Sequence, residues 1–385
     1  MRWPIQPVEI QRRFAPPFCP RRECLQHRVG DPREFAYERA GAYWRANGRR
    51  VPRYRCMACG STFGKQAFSV SYYLKRPELL APIAAGLVNG AAHRQIARMV
   101  GCAPSTVTRL SARIGRHALL LQVLALRELQ DDAEDSVLDH AEAFEGSQDA
   151  PFAVATLVGS GSWFWYGLEG CTHQRTGRRS RFQEARRRKR PSRDRHGGYE
   201  GSAARLMAVR LRFGAGQAPL RIVADDKDDY ARAARKIDHG RIRLVVFPNP
   251  KRGPKGAPRS VEARRRDEAM FPNDLLHGLL RHSLAHHHRE TIAFPRRANA
   301  ALERLFLMMA WRNFVKGVSE RKPDRTTPAM RKRLTDAPWT WSRLFARRLF
   351  PGRLPVPRSW MDIYRRAWTT PALRSNTRHD LALAF

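Results

Sequence analysis

The sequence predicts a multidomain α+β protein in which a small cysteine module and a helical module precede an α/β module. Three observations predict it. Two close cysteine pairs, in "FCPRREC" and "YRCMACGSTF", lie near the N-terminus; residues 77–116 carry helical periodicity broken by a glycine; and from residue 136 three β-rich runs give way to alternating helix and strand. These features divide the chain at 1–76, 77–130, 131–320 and 321–385, the last part being basic and aromatic.

Composition limits the partners. Among 385 residues, 72 Lys and Arg face 35 Asp and Glu, a formal charge of +37. Unneutralised, such a charge repels itself, and a polyanion relieves it. Most of the excess is arginine, whose planar fork grips phosphate oxygens in pairs, so nucleic acid is favoured over an acidic protein or a membrane surface. A hydrophobic content of 42% supplies material for real cores. The segment "MRWPIQPVEIQRRF" lacks the apolar stretch of a signal peptide, and "LLAPIAAGLV" and "ALLLQVLAL" are too short to span a bilayer. The expectation is a cytoplasmic, nucleoid-associated protein with no membrane contact.

The cysteine module comes first. Cys19 and Cys24 form a C-x4-C pair, and Cys56 and Cys59 a C-x2-C pair. Six cysteines in a long chain of this kind do not suggest a disulfide scaffold. Two knuckles on short hairpins bring four thiolates into the tetrahedron of a structural zinc ion. Between them, "YERAGAYWRANGRRVPRYRC" has the aromatic and β-branched content of a hairpin with Asn-Gly at its turn. The whole reads as a zinc ribbon. The first knuckle is wide, and His27 is an alternative ligand.

Next, "AAHRQIARMVG" offers Ile96, Ala97 and Val100 to one face of a helix that Gly101 ends. "CAPSTVTRLSARIG" restarts at Pro104 and Ser105, with Val107, Leu110 and Ile114 as its buried stripe. This is a helix-turn-helix pattern, in which the second helix enters the major groove of double-stranded DNA. Arg94, Ser105, Thr106, Thr108, Arg109 and Arg113 are the expected DNA-contacting residues. The apolar "HALLLQVLALREL" reads as a connecting or dimerising helix, and a homo-oligomer is expected.

"SVLDHAEAFE", "PFAVATLVGSGS" and "WFWYGLEGCTH" then read as successive strands. The basic run from Arg175 to Arg195 is a solvated loop or a phosphate-binding flap. A helix at "GSAARLMAVRLRF", a strand at "LRIVADD", a helix at "YARAARKID" and a strand at "RIRLVVFP" follow. The Pro, Gly and Arg-rich "PNPKRGPKGAPRSVEARRRD" begins as a loop, and helices occupy "NDLLHGLLRHSLAHHH" and "PRRANAALERLFLMMAWRNFVKG". This is the order of elements in a ribonuclease H-like fold.

Enzymes of that fold act on phosphodiesters with two divalent ions held by carboxylates at neighbouring strand ends. Mg2+ or Mn2+ is the expected catalytic metal. Asp139 stands inside the first strand, where a charge is costly unless paired or metal-bound, and Asp225 ends the fourth. Asp226 and Glu142 are the neighbouring competitors. Glu303, on the long apolar helix with Asn299 one turn earlier, is the expected third acid, and Glu290 is its alternative. His286, His287 and His288 are adjacent and diverge by about 100° on a helix, which fits a basic face near DNA better than one metal site. Trp339, Trp341, Trp360 and Trp368 either stack on bases or bury a C-terminal subdomain.

Over about residues 15–317 the chain resembles insertion-sequence transposases with a zinc ribbon, a helix-turn-helix and a DDE-type ribonuclease H-like domain. The resemblance rests on "FCPRREC", "YRCMACGSTF", "HRQIARMVGCAPSTVTRL" and "VLDHAEAF". It implies DNA cleavage at transposon ends and strand transfer into target DNA, with Asp139, Asp225 and Glu303 as first, second and third acids. A DNA-binding regulator derived from such an enzyme, without its chemistry, is the alternative.

Overall fold

The computed structural model describes residues 14–44, 48, 50–129, 132–147, 149–173, 180–188, 196–214, 219–237, 240–250, 253–254, 256–288, 291–321, 325–371 and 373. The chain is a mixed α+β protein with two sheets. Strands β1 (Tyr37–Trp44), β2 (Arg50–Cys56) and β3 (Thr62–Phe63) pair antiparallel in the first. Phe35, Tyr54 and Phe63 pack there with Cys19, Cys24 and Cys56 into a small core of their own. Aromatic side chains bury large area per residue, so a few suffice for so short a sheet.

Three helices follow: α1 (Leu80–Val88), α2 (His93–Val100) and α3 (Pro104–Arg127). α2 stops because Gly101 takes a left-handed conformation, φ +62°, which a residue without Cβ adopts at no steric cost. Pro104 then opens α3, where its missing N–H costs no helical hydrogen bond. α3 does not end near residue 116. It runs unbroken through "HALLLQVLALR", and every residue from Ser111 to Leu126 is buried. That segment packs against α8 (Ala298–Phe314) and the larger sheet, so its apolar surface is used inside the chain and not offered to a second copy. The two helices cross in backbone contact: a Cβ on Gly115 would lie 2.3 Å from the carbonyl oxygen of Glu303.

The larger sheet contains β4 (Ser136–Phe144), β5 (Pro151–Gly159), β6 (Trp165–Thr172), β7 (Leu220–Asp225) and β8 (Ile242–Phe247), in the order β6-β5-β4-β7-β8. β4, β5 and β6 form an antiparallel meander, β7 pairs parallel to β4, and β8 parallel to β7. Parallel neighbours need crossover helices. α5 (Gly198–Gly214) lies between β6 and β7 in sequence, and α6 (Asp228–Ile237) between β7 and β8. Within the basic run, α4 (Arg181–Arg188) is a short helix, while 174–179 and 189–195 lie outside the described residues. The segment expected to start as a loop after β8 becomes helix at α7 (Val261–Ser283), capped by Ser260, whose hydroxyl accepts from the Ala263 N–H at 3.2 Å. α7 crosses β4, β5, β7 and β8 on one face.

α9 (Pro328–Arg331), α10 (Trp341–Leu344) and α11 (Arg358–Tyr364) follow α8. Trp360 is fully buried against Phe306, and its indole N–H donates to the Leu168 carbonyl at 3.1 Å. Trp339 stacks on Phe314 and Trp368 on the His196 ring. Burial is therefore the use made of these three tryptophans, and Trp341 is half-buried. One apolar core runs from Val70 through α1, α3 and the sheet to Trp368. Among the described residues no helix is long and apolar enough to cross a membrane.

Candidate functional site

Cys56 ends β2 and Cys59 sits in the turn after it, closed by Gly60 N–H donating to the Cys56 carbonyl at 2.9 Å. Cys19 and Cys24 face them from the preceding loop. The four Sγ atoms all lie within 4.8 Å of one another, with Cys19–Cys59 and Cys24–Cys56 at 3.7 Å. A disulfide needs about 2.05 Å. Four sulfurs about 2.3 Å from one tetrahedral ion stand about 3.8 Å apart, which is the spacing found. These cysteines can hold a metal such as zinc. Burial raises the Cys19 and Cys24 thiols; at Cys59 burial also raises, but hydrogen bonds from Ser61 and its neighbouring cysteines bring the thiol down to about 6. His27 does not replace a sulfur: its Nδ1–H donates to the Cys19 carbonyl at 2.8 Å, bracing the loop behind the cluster.

The second candidate centre lies on the larger sheet. Leu138 pairs with Ala224 across the parallel β4–β7 ladder, so the next residue on each strand brings Asp139 and Asp225 side by side. The Lys227 ammonium stands 3.7 Å from Asp139 Oδ1 and 3.5 Å from Asp225 Oδ2. Tyr230 donates its hydroxyl to Asp139 Oδ1 at 3.3 Å. Asp225 is 9% exposed, and its Oδ1 has no hydrogen-bond partner among the described residues. Burial, and then the charge of Asp139, raise the Asp225 carboxyl above its ordinary range. Asp226, by contrast, is exposed, and Glu142 is an exposed acceptor for the Tyr199 hydroxyl at 2.8 Å.

α7 supplies the roof over this pair. Its buried Asn273 donates Nδ2 to the carbonyls of Val137 (2.8 Å) and Thr156 (3.3 Å), pinning the helix to β4 and β5. His277, one turn later, has Nε2 2.9 Å from the Thr156 hydroxyl and Nδ1 3.6 Å from Asp139 Oδ2. Burial is the main reason its ring stays neutral, down to about 4. Lys227, His277, Thr156 and Asn273 were not among the residues singled out in the sequence. Lys227 follows Asp225 by two positions and was readable; the other three meet only through the crossing of α7 over the sheet.

Glu303 is not brought to the acid pair. It is 1% exposed, and Arg366 grips it bidentately, Nε to Oε1 at 2.7 Å and Nη2 to Oε2 at 2.6 Å. Asn299 donates to the same Oε1 at 3.4 Å, and the Arg116 guanidinium acts on the carboxylate from α3. Among the described residues the four cysteines are the one group of three or more metal-ligating side chains within 4.8 Å of one another. Glu303, expected to converge with Asp139 and Asp225, forms no such group with them among the described residues and is paired with Arg366 instead. Glu290 lies outside the described residues.

His286 and His287 do not sit on an exposed basic face. They lie in the turn after α7, both buried, with ring centroids 4.6 Å apart, and only His288 is exposed. Burial drives both rings to the neutral form, His287 to about 3. At the N-terminal end of α3 and on α2, Arg94, Ser105, Thr108 and Arg109 are exposed and Thr106 is half-buried. Arg113 is different. It is buried and donates Nη1 to the carbonyls of Val70 (3.1 Å) and Tyr72 (2.7 Å), so it ties the helix to the preceding segment and is not presented at the surface.

Comparison of the chain with protein-family models, with curated proteins and with solved structures returns no match.

Proposed function

We propose that this protein is a DNA-processing enzyme of the transposase type, with a zinc ribbon at the four cysteines, a helix-turn-helix in α1–α3 and a ribonuclease H-like domain around the larger sheet. The observation that carries the enzyme reading is the pair of half-buried Asp139 and buried Asp225 on adjacent parallel strands, sharing one ammonium and leaving Asp225 Oδ1 without a partner among the described residues. A buried carboxylate oxygen with no donor asks for a cation. The strand order β6-β5-β4-β7-β8, a meander followed by two parallel strands, is the one such a domain requires.

Asp139 and Asp225 would hold the Mg2+ or Mn2+ ions, which when bound lower the barrier to phosphodiester attack and departure. The chain's own part is positional. β4 and β7 fix the two carboxylates, Tyr230 orients Asp139, and the Lys227 ammonium, which pairs with both acids, would be available to a phosphate oxygen with metal bound. Arg94 and Arg109 would track the DNA backbone while Ser105, Thr106 and Thr108 meet base edges.

One observation favours the second reading, a DNA-binding regulator without chemistry: Glu303 is committed to Arg366. Incubation of the protein with Mn2+ or Mg2+ and DNA spanning the ends of its own genetic element separates the two. The enzyme reading expects nicks that vanish, by at least a hundredfold, in Asp139→Ala and in Asp225→Ala. Cleavage retained by Asp139→Ala refutes the assignment of that residue, and tight binding with no cleavage selects the regulator.

A further inference from the structure

The turn before α2 and the turn after α7 meet beside Arg304 of α8. Gly90, at φ +79°, donates its N–H to the Ser283 carbonyl at 2.9 Å, and a Cβ on it would lie 3.9 Å from His288 Nε2. Arg304 Nη1 reaches His93 Nε2 at 3.4 Å, a long contact to a ring that burial, and then the Arg304 charge, bring down to about 4. The guanidinium has many donors, yet its buried Nε has no hydrogen-bond partner and the group no ion pair among the described residues. His286 and His287 are 6% and 8% exposed, and each buries an Nε2 that is likewise unpartnered among the described residues. Burial first, and then the Arg304 charge, hold both rings neutral.

A cation taken out of water without a counter-charge is costly. Burial lowers the Arg304 guanidinium to about 10, and Glu303, the carboxylate that acts on it, is gripped by Arg366 through both oxygens. Histidine supplies no negative charge. The group is therefore built to receive an anion whose oxygens meet the guanidinium fork and whose charge, opposing that of Arg304, allows imidazole N–H groups to donate as well. Phosphate has those oxygens in that arrangement. The surroundings extend the positive field along a line: Arg94 and Arg98 are exposed one turn apart on α2, which carries no acid, and His288 is exposed beside Gly90. A row of cations suits a polyanion better than a single acidic side chain.

We propose that Arg304, with His286 and His287 beside it, binds one phosphate of the DNA backbone, so that α8 grips the duplex together with α2 and α3. The inference rests on the DNA binding of the proposed function, in either of its two readings, and adds a contact from outside the three helices that carry it. His93 is the positioning residue. The Thr108 hydroxyl donates to the Pro104 carbonyl at 3.1 Å and accepts the His93 Nδ1–H at 3.0 Å, which leaves Nε2 to accept from Arg304 and fix the direction of the fork. A phosphate held there ties α8 to the start of α2 through a charge that neither element provides.

Inorganic phosphate and duplex DNA are the two probes, both applied to the full chain. Phosphate should raise the melting temperature of the parent protein above its value in chloride of equal ionic strength. Arg304→Gln should abolish that rise, while its own melting temperature in chloride stays level or climbs, because a cation without a partner has been removed. An arginine with a merely structural role would lower it. In fluorescence anisotropy the variant should bind duplex DNA roughly tenfold more weakly, with the slope of log K against log salt reduced by about 0.9, the share of one phosphate. Arg304→Lys, which keeps the charge and loses the fork, should restore the slope and part of the affinity. DNA binding by the parent with no phosphate effect, and with a slope that Arg304→Gln leaves unchanged, overturns the inference. Phosphate stabilisation through Arg304 with that slope unchanged refutes the duplex as the source of the phosphate. A parent protein stabilised by phosphate that binds no DNA refutes the DNA-binding reading itself. Because the phosphate effect is read on the unaltered chain, a variant that fails to fold does not spare the proposal.

Discussion

Replacing Arg366 by Met tests the account of Glu303 most directly. The pair is buried on both sides, Glu303 side chain 2% and Arg366 9% exposed, with two charge-assisted hydrogen bonds of 2.6 and 2.7 Å. Removing one member of a buried pair leaves an uncompensated charge and costs about 3–5 kcal/mol. The guanidinium of Arg116 still acts on Glu303 from α3, so the lower figure, about 3 kcal/mol, is expected. With a denaturant slope of about 3 kcal/mol per molar urea, the midpoint falls by roughly 1 M. Glu303→Gln should cost less, and the double variant Glu303→Gln with Arg366→Met should recover part of the loss, a coupling of about 2 kcal/mol or more. Urea unfolding followed by tryptophan fluorescence reads all four proteins, since Trp339, Trp360 and Trp368 are buried in the same core. DNA nicking by each variant is measured beside it. The reasoning is refuted if Arg366→Met unfolds within 0.5 M of the parent, or if Glu303→Gln keeps full stability and abolishes nicking.

Glu134 gives a pH prediction. Burial pushes its carboxyl up, but the Lys332 ammonium and the hydroxyl and N–H of Ser162 outweigh this and hold it at about 2. A depressed folded value means stability that is present above the ordinary carboxyl range and lost as pH falls toward 2. Glu134→Gln should therefore cost about 3 kcal/mol at pH 7, a penalty that shrinks between pH 4.5 and pH 2 in unfolding curves. On the proposed DNA-binding reading, Arg109→Ala should weaken duplex binding and lower the salt slope by about 1, whereas Arg113→Ala should destabilise the fold, as seen by its unfolding midpoint, with the slope unchanged. Metal analysis should find one zinc per chain, and chelation should open the segment around Phe35, Tyr54 and Phe63 to protease while the core around α3 stays resistant.

Much of the fold was legible because its signals are local. The strands at Ser136–Phe144, Pro151–Gly159 and Trp165–Thr172 announce themselves by β-branched and aromatic runs between turn residues. The convergence of Cys19, Cys24, Cys56 and Cys59 followed from their spacing. Asp139 stood out as a charge inside an apolar strand. What escaped depends on contacts between distant segments. Glu303 and Arg366 are 63 positions apart, and nothing local in either marks the other. The helix that roofs the acid pair starts inside a stretch whose prolines and glycines read as loop, so attention passed over α7 to the more apolar α8. Arg113 and Arg109 look alike in sequence; only the path of residues 70–72 beneath α3 separates a buried brace from an exposed cation.

α3 has a mechanical consequence. Its first turn projects to solvent while its remaining length is embedded beside α8 and the sheet, and the whole is one uninterrupted rod of 24 residues, about 36 Å long. No flexible tether intervenes, so the span between the outermost turn and the buried end is set by helical rise. Lengthening the rod by one residue would swing its tip by about 100° relative to its base. The outer turn is therefore not a detachable head; a graft there would have to match the axial phase of the shaft that carries it.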